Sequence, residues 1–142
     1  MSRTQRTSFG QLAAMALGAV YVVVGIAGFV ATGFVGFVTN TSDTLLGFDI
    51  NPMHNLVHLG IGAYLLLMSR FNTSVTEGAL IGVGLVYLLA AYLGFTNNLQ
   101  IISINSGVAL ENFNHLVSGL AALGAGLASG IHTSSVRQAE AG

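Results

Sequence analysis

The spacing of the charged residues constrains this chain more than any other feature of its sequence. Four arginines and five acidic residues carry all the formal charge among 142 residues, and there is no lysine. Long uncharged stretches separate them, and 53% of the residues are hydrophobic against 6% charged. A soluble domain of this size usually has about a quarter charged residues. The composition therefore excludes a water-soluble globular domain and predicts a membrane protein.

Each of the four uncharged stretches is long enough for a membrane-spanning helix, which needs about 20 apolar residues. Backbone amides in lipid must pair within their own segment, which favours helices, and the alternating pattern of a barrel strand is absent. We predict an all-α membrane protein that forms a single domain over residues 1–142. Its four predicted transmembrane helices cover residues 12–38, 53–69, 76–95 and 112–132.

The arginines predict the topology. Arg3 and Arg6 precede the first span, Arg70 lies between the second and third spans, and Arg137 follows the fourth. With four spans all of these residues fall on one side of the membrane, and segments rich in arginine stay in the cytoplasm. Both termini are therefore predicted to be cytoplasmic.

The two halves of the chain share short patterns that predict an internal duplication. Gly-x-Val-Tyr, followed by Gly-Phe, begins at Gly18 and again at Gly84, an offset of 66. His54-Asn55 in the second span matches Asn114-His115 in the fourth at an offset of 60. Two helical hairpins that both start in the cytoplasm form parallel repeats about an axis along the membrane normal.

Polar residues gather at the start of the second and fourth spans. Helical geometry places four polar residues of each span on one arc, and polar groups at this depth are expected to point into the bundle. The predicted polar cluster, which is also a candidate ligand site, consists of Asn51, His54, Asn55, His58, Glu111, Asn114, His115 and Ser118.

Three interpretations of this cluster stay open. A hydrogen-bonded network of imidazoles and amides would fix the packing of the two hairpins. A metal site would use His54, His58, Glu111 and His115, which form two i,i+4 pairs suited to zinc, iron, manganese or copper, and His58 and His115 could instead bracket a haem. A path for protons or small solutes needs polar groups across the whole bilayer, and the spans beyond the cluster are apolar.

Composition and motifs exclude several classes of function. The absence of cysteine excludes disulfides, thiolate metal sites and iron–sulfur clusters. There is no nucleotide-binding loop and no nucleophile elbow, and a net charge of -1 argues against nucleic-acid binding. We therefore expect a non-enzymatic protein of the bilayer, structural or accessory to other membrane subunits or to a homo-oligomer. A metal- or haem-binding protein and a small transporter or channel subunit are the alternatives.

The run from Asn51 to Gly60, which contains His-Asn-x-x-His, and the later run from Asn112 to Leu116 resemble a known family. They are similar to the small four-span bacterial membrane proteins of the domain of unknown function DUF4383, which are chiefly actinobacterial. The resemblance extends from about Phe9 to His132. It implies a bacterial cytoplasmic membrane protein in which His54, Asn55, His58 and His115 are prominent, and it implies no reaction and no cofactor.

Overall fold

The described part of the chain forms four α-helices, with a small β-hairpin between the first two. The structure is a computed structural model that describes residues 7–40 and 43–141, with side chains described as far as residue 131. The expected all-helical architecture is confirmed for this part of the chain. Its elements are α1 (Phe9–Thr32), β1 (Thr44–Leu45), β2 (Phe48–Asp49), α2 (Pro52–Met68), α3 (Thr73–Phe95), a 3-10 turn (Gln100–Ile102) and α4 (Leu110–Ala141). The two strands are antiparallel and pair Thr44 with Asp49.

Asparagine caps set where the two middle helices begin. The side-chain oxygen of Asn51 accepts a hydrogen bond from the amide of His54 at 2.9 Å, and that of Asn72 accepts one from the amide of Val75 at 3.1 Å. These bonds satisfy amides that have no partner within the first helical turn. They explain why α3 begins ahead of the predicted span of 76–95.

The first predicted span, residues 12–38, is longer than the helix that forms, and the prediction is wrong at this end. α1 ends at Thr32, and Gly33 and Gly36 follow it with φ values of 63° and 65°. Positive φ values are accessible to glycine at little cost and cannot continue a right-handed helix. Residues 33–38 therefore lie outside α1, although they are uncharged.

α4 is the longest helix and continues past the predicted end of the fourth span. That span covers residues 112–132, whereas the helix continues to Ala141. Of the arginines that predict the topology, Arg3 and Arg6 lie outside the described residues, as does the side chain of Arg137.

α1 packs mainly against α2, and α3 mainly against α4. Glycines make both contacts close. A β-carbon added to Gly62 would lie 2.7 Å from the carbonyl oxygen of Gly18, and one added to Gly119 would lie 3.0 Å from that of Gly84. Small residues let helix backbones approach in this way. The chain therefore consists of two tightly packed hairpins, α1–α2 and α3–α4.

The helices bury a small apolar core and expose large apolar side chains. The core includes Leu65 of α2 and Leu80 of α3. By length and composition α1 and α3 could each cross a membrane, yet only 28% and 39% of their most apolar stretches are buried. Most of the apolar surface of these two helices therefore lies on the outside of the bundle.

Replacing Gly62 with alanine is expected to destabilise the protein, whereas replacing Gly60 is not. The new β-carbon at position 62 would press on the α1 backbone, and overpacking of this kind costs about 1–3 kcal/mol. No atom lies within 4 Å of a β-carbon built on Gly60, so alanine there should gain about 0.5–1 kcal/mol of helix stability. Unfolding in detergent, followed by circular dichroism, measures both variants.

The second hairpin offers the same comparison. A β-carbon on Gly84 would lie 2.6 Å from the amide nitrogen of Leu123, while one on Gly82 meets nothing within 4 Å. G84A should therefore unfold more easily than G82A. Equal stability within each pair of variants would contradict the close backbone contact.

Candidate functional site

Three histidines from the two hairpins meet inside the bundle. His54 and His58 are one turn apart on α2, and His115 is on α4. All three are buried, and one potential ligand nitrogen from each lies within 4.8 Å of the other two. The ring of His54 is centred 4.6 Å from that of His58 and 5.8 Å from that of His115. We call these three residues the histidine cluster.

Two buried tyrosines pack against the histidine cluster. The rings of Tyr21 from α1 and Tyr87 from α3 stack with their centroids 5.0 Å apart. Tyr21 lies 5.6 Å from the ring of His58, and Tyr87 lies 5.5 Å from that of His115. Each of the four helices thus contributes at least one ring to the site, and both tyrosines also belong to the apolar core.

The buried ring nitrogens are short of hydrogen bonds. Among the described residues, neither nitrogen of His54 has a partner, and Nδ1 of His115 has none either. Main-chain groups of Asp49 and Ile102 lie near His54 but form no hydrogen bond of ordinary length and angle. An unsatisfied buried polar group costs about 1–3 kcal/mol. These three nitrogens are therefore not satisfied in the way that a purely structural network would require.

The asparagines, in contrast, are bonded and hold the structure around the histidines. The Asn55 amide nitrogen donates to the hydroxyl of Thr32 at 2.9 Å. The Asn51 amide nitrogen donates to the carbonyl oxygens of Thr39 at 3.2 Å and Ile101 at 3.0 Å. Asn51 thereby connects the loop before α2 with the loop before α4.

Glu111 lies at a cavity beside the histidine cluster. It is buried in the first turn of α4, and its carboxylate accepts a hydrogen bond from the amide of Asp49 in β2. The cavity has a volume of about 90 Å³, which is room for an ion or a few water molecules. Its walls are formed by Val24, Leu45, Leu46, Phe48, Ile50, His54, His58, Glu111, Asn114 and His115. The β1–β2 hairpin thus covers a polar site with apolar side chains.

The structure places two residues of the predicted polar cluster away from the interior. Asn114 lines the cavity but is exposed, and Ser118 is half-buried. The buried amide of α4 is Asn112, whose side chain donates to the carbonyl oxygen of Ser106 at 2.9 Å. The signal that points to Asn112 is the pattern Asn-x-x-His-Leu-x-x-Gly, which starts at Asn55 and recurs at Asn112.

Comparison with known proteins identifies a family. A family model described as Domain of unknown function (DUF4383) matches residues 11–129 of the chain. The match includes the histidine cluster and Glu111, and it confirms the resemblance seen in the sequence. No curated protein and no solved structure matches the chain.

Replacing Asn55 with alanine is expected to lower the free energy of unfolding by about 1–3 kcal/mol, because the hydrogen bond to the half-buried Thr32 hydroxyl is lost and a small void forms. N114A is the matched control. Its side chain is exposed, so the change should stay within about 0.5 kcal/mol. Chemical unfolding of both variants in the same detergent gives the comparison. An N55A protein as stable as N114A would show that the buried amide does not hold α1 to α2.

Proposed function

The chain belongs to the DUF4383 family, and we propose that it is a four-span membrane protein that binds a first-row transition-metal ion in the histidine cluster. One observation carries the proposal. Three buried imidazoles from both hairpins each place a ligand nitrogen within 4.8 Å of the other two, and ring nitrogens of His54 and His115 lack a hydrogen-bond partner among the described residues.

The separation of the ligand nitrogens in the histidine cluster is close to that of a metal site. Zinc binds imidazole nitrogen at about 2.0–2.1 Å, which puts the nitrogens of a tetrahedral site roughly 3.3 Å apart. The three ligand nitrogens lie within 4.8 Å of one another, so a metal ion would have to draw them about 1.5 Å closer at most. Imidazole also suits copper, iron and nickel. A bound ion would be the partner that the buried imidazole nitrogens lack. A purely structural network does not explain why these nitrogens have no partner.

The alternatives have less support. A haem needs a pocket in the range of about 300–1,000 Å³ that is typical of cofactors, and the cavity measures about 90 Å³. The rings of Tyr21 and Tyr87 also lie against the imidazoles where a porphyrin would have to fit. A solute path is disfavoured because the core beyond the tyrosines is apolar. A structural or accessory role is supported by the bonded amides of Asn51 and Asn55, and it is compatible with a metal at the histidines.

We infer that all four helices cross the bacterial cytoplasmic membrane with both termini inside. The exposed apolar faces of α1 and α3 support this, because a core helix of a soluble protein would be mostly buried. α2 has 17 residues, at the short end of the range of about 17–25 for a span. Arg70, in the turn between α2 and α3, favours a cytoplasmic position for that turn.

Single cysteines test the topology cleanly, since the chain has none of its own. Leu46 at the tip of the β-hairpin and Phe71 in the α2–α3 turn are both exposed. A membrane-impermeant maleimide added to intact cells or spheroplasts should label L46C, and should label F71C only after permeabilisation. Labelling of F71C in intact spheroplasts would contradict a cytoplasmic turn.

Removal of any one of the three histidines is expected to abolish stoichiometric metal binding. Changes in the shell around a metal ligand already cost about 10–100-fold in affinity, so losing a ligand should cost at least as much. Protein purified in mild detergent without chelator, and then analysed by elemental mass spectrometry and Zn²⁺ titration, measures this for H54A, H58A and H115A. Zn²⁺ should also raise the unfolding temperature of the parent protein, because it binds only the folded state.

H132A is the matched control for these variants. Residue 132 lies on the same helix as His115, about 25 Å further along it. This variant should keep full metal content. A parent protein that neither contains a transition metal nor binds added Zn²⁺, Co²⁺ or Cu⁺ would overturn the proposed function.

A further inference from the structure

The two hairpins repeat each other's backbone contacts. A β-carbon on Gly18 would lie 2.9 Å from the carbonyl oxygen of Gly62, and one on Gly84 would lie 2.9 Å from that of Gly119. A β-carbon on Gly28 would meet the side chain of Asn55, and one on Gly94 would meet that of Asn112. Positions in α1 and α3 therefore correspond at an offset of 66, and positions in α2 and α4 at an offset of 57.

The rings obey the same correspondence. Tyr21 lies 5.6 Å from His58, and the matching pair, Tyr87 and His115, are 5.5 Å apart. These contacts support the duplication expected from the sequence, but at a different register in the second helix of each hairpin. The sequence match of His54-Asn55 with Asn114-His115 uses an offset of 60, whereas these contacts correspond at an offset of 57.

At this register His58 corresponds to His115, and His54 corresponds to Glu111. All four residues line one cavity. We propose that Glu111 is the fourth ligand of the metal ion, so that the site takes a divalent first-row ion on three imidazoles and one carboxylate. This inference rests on the proposed function and deepens it. A carboxylate oxygen suits Zn²⁺, Fe²⁺ or Mn²⁺ better than Cu⁺, which prefers softer ligands.

The surroundings of Glu111 favour this assignment. A buried carboxylate is costly unless a cation or several donors compensate it. The Asp49 amide supplies one donor, and the first turn of α4 is a favourable place for a negative charge. The one arginine whose side chain the structure describes, Arg70, lies at the opposite end of α2 from His54. A divalent ion in the shared cavity would supply a compensating positive charge.

Zn²⁺ titration calorimetry on the full-length, metal-free protein in detergent tests the assignment. E111Q should bind Zn²⁺ at least about tenfold more weakly than the parent. Glutamine keeps an oxygen that can accept from the Asp49 amide, so the hairpin contact is preserved, and the unfolding temperature of the metal-free variant checks this.

Exchange of the two corresponding residues is the sharper test. H54E removes one imidazole and should weaken binding, whereas the double variant H54E/E111H restores three imidazoles and one carboxylate and should regain most of the affinity. An E111Q protein that binds Zn²⁺ as tightly as the parent would overturn the role of Glu111 while leaving the three-histidine site intact. A folded double variant that binds no better than H54E would overturn the correspondence. A parent protein that binds no metal would overturn both proposals.

Discussion

Close backbone contact at glycines is the constraint on which the rest of the structure depends. No side chain fits between the helices of either hairpin at these contacts. His58 precedes Gly62 by four residues, and His115 precedes Gly119 by four residues. Tyr21 follows Gly18 by three residues, and Tyr87 follows Gly84 by three residues. The contact that packs the helices therefore also sets the height at which the rings meet. The contacts are Gly18 with Gly62, and Gly84 with Gly119.

Much of the fold could be predicted from the sequence, because a charge cannot easily be placed in the middle of an apolar helix. The sparse charges therefore mark the ends of the helical stretches. The end of α1 could not be predicted in this way, since residues 33–38 remain apolar after the backbone turns at Gly33. Nor does the sequence mark the strands β1 and β2, because two residues are too few to show an alternating pattern.

The candidate site could be predicted only in part. The histidines stand out because imidazole is rare in apolar stretches. Tyr21 and Tyr87 do not, since single tyrosines in a bundle usually pack locally, and their stacking depends on the contact between hairpins. An offset of 60 aligns similar residues and predicts that Asn114 lies inside the bundle. The glycine contacts favour an offset of 57 instead, and Asn112 is the buried residue.

Under the proposed correspondence between the two halves, Asn51 has no polar equivalent. Its counterpart at an offset of 57 is Val108, whose side chain has no hydrogen-bonding group. Asn51 caps α2 and also donates to the main chain of both loops, at Thr39 and Ile101. The hydrogen bonds of Asn51 therefore tie both loops to the first turn of α2. Displacement of either loop would therefore strain a hydrogen bond of the residue that caps the helix carrying His54.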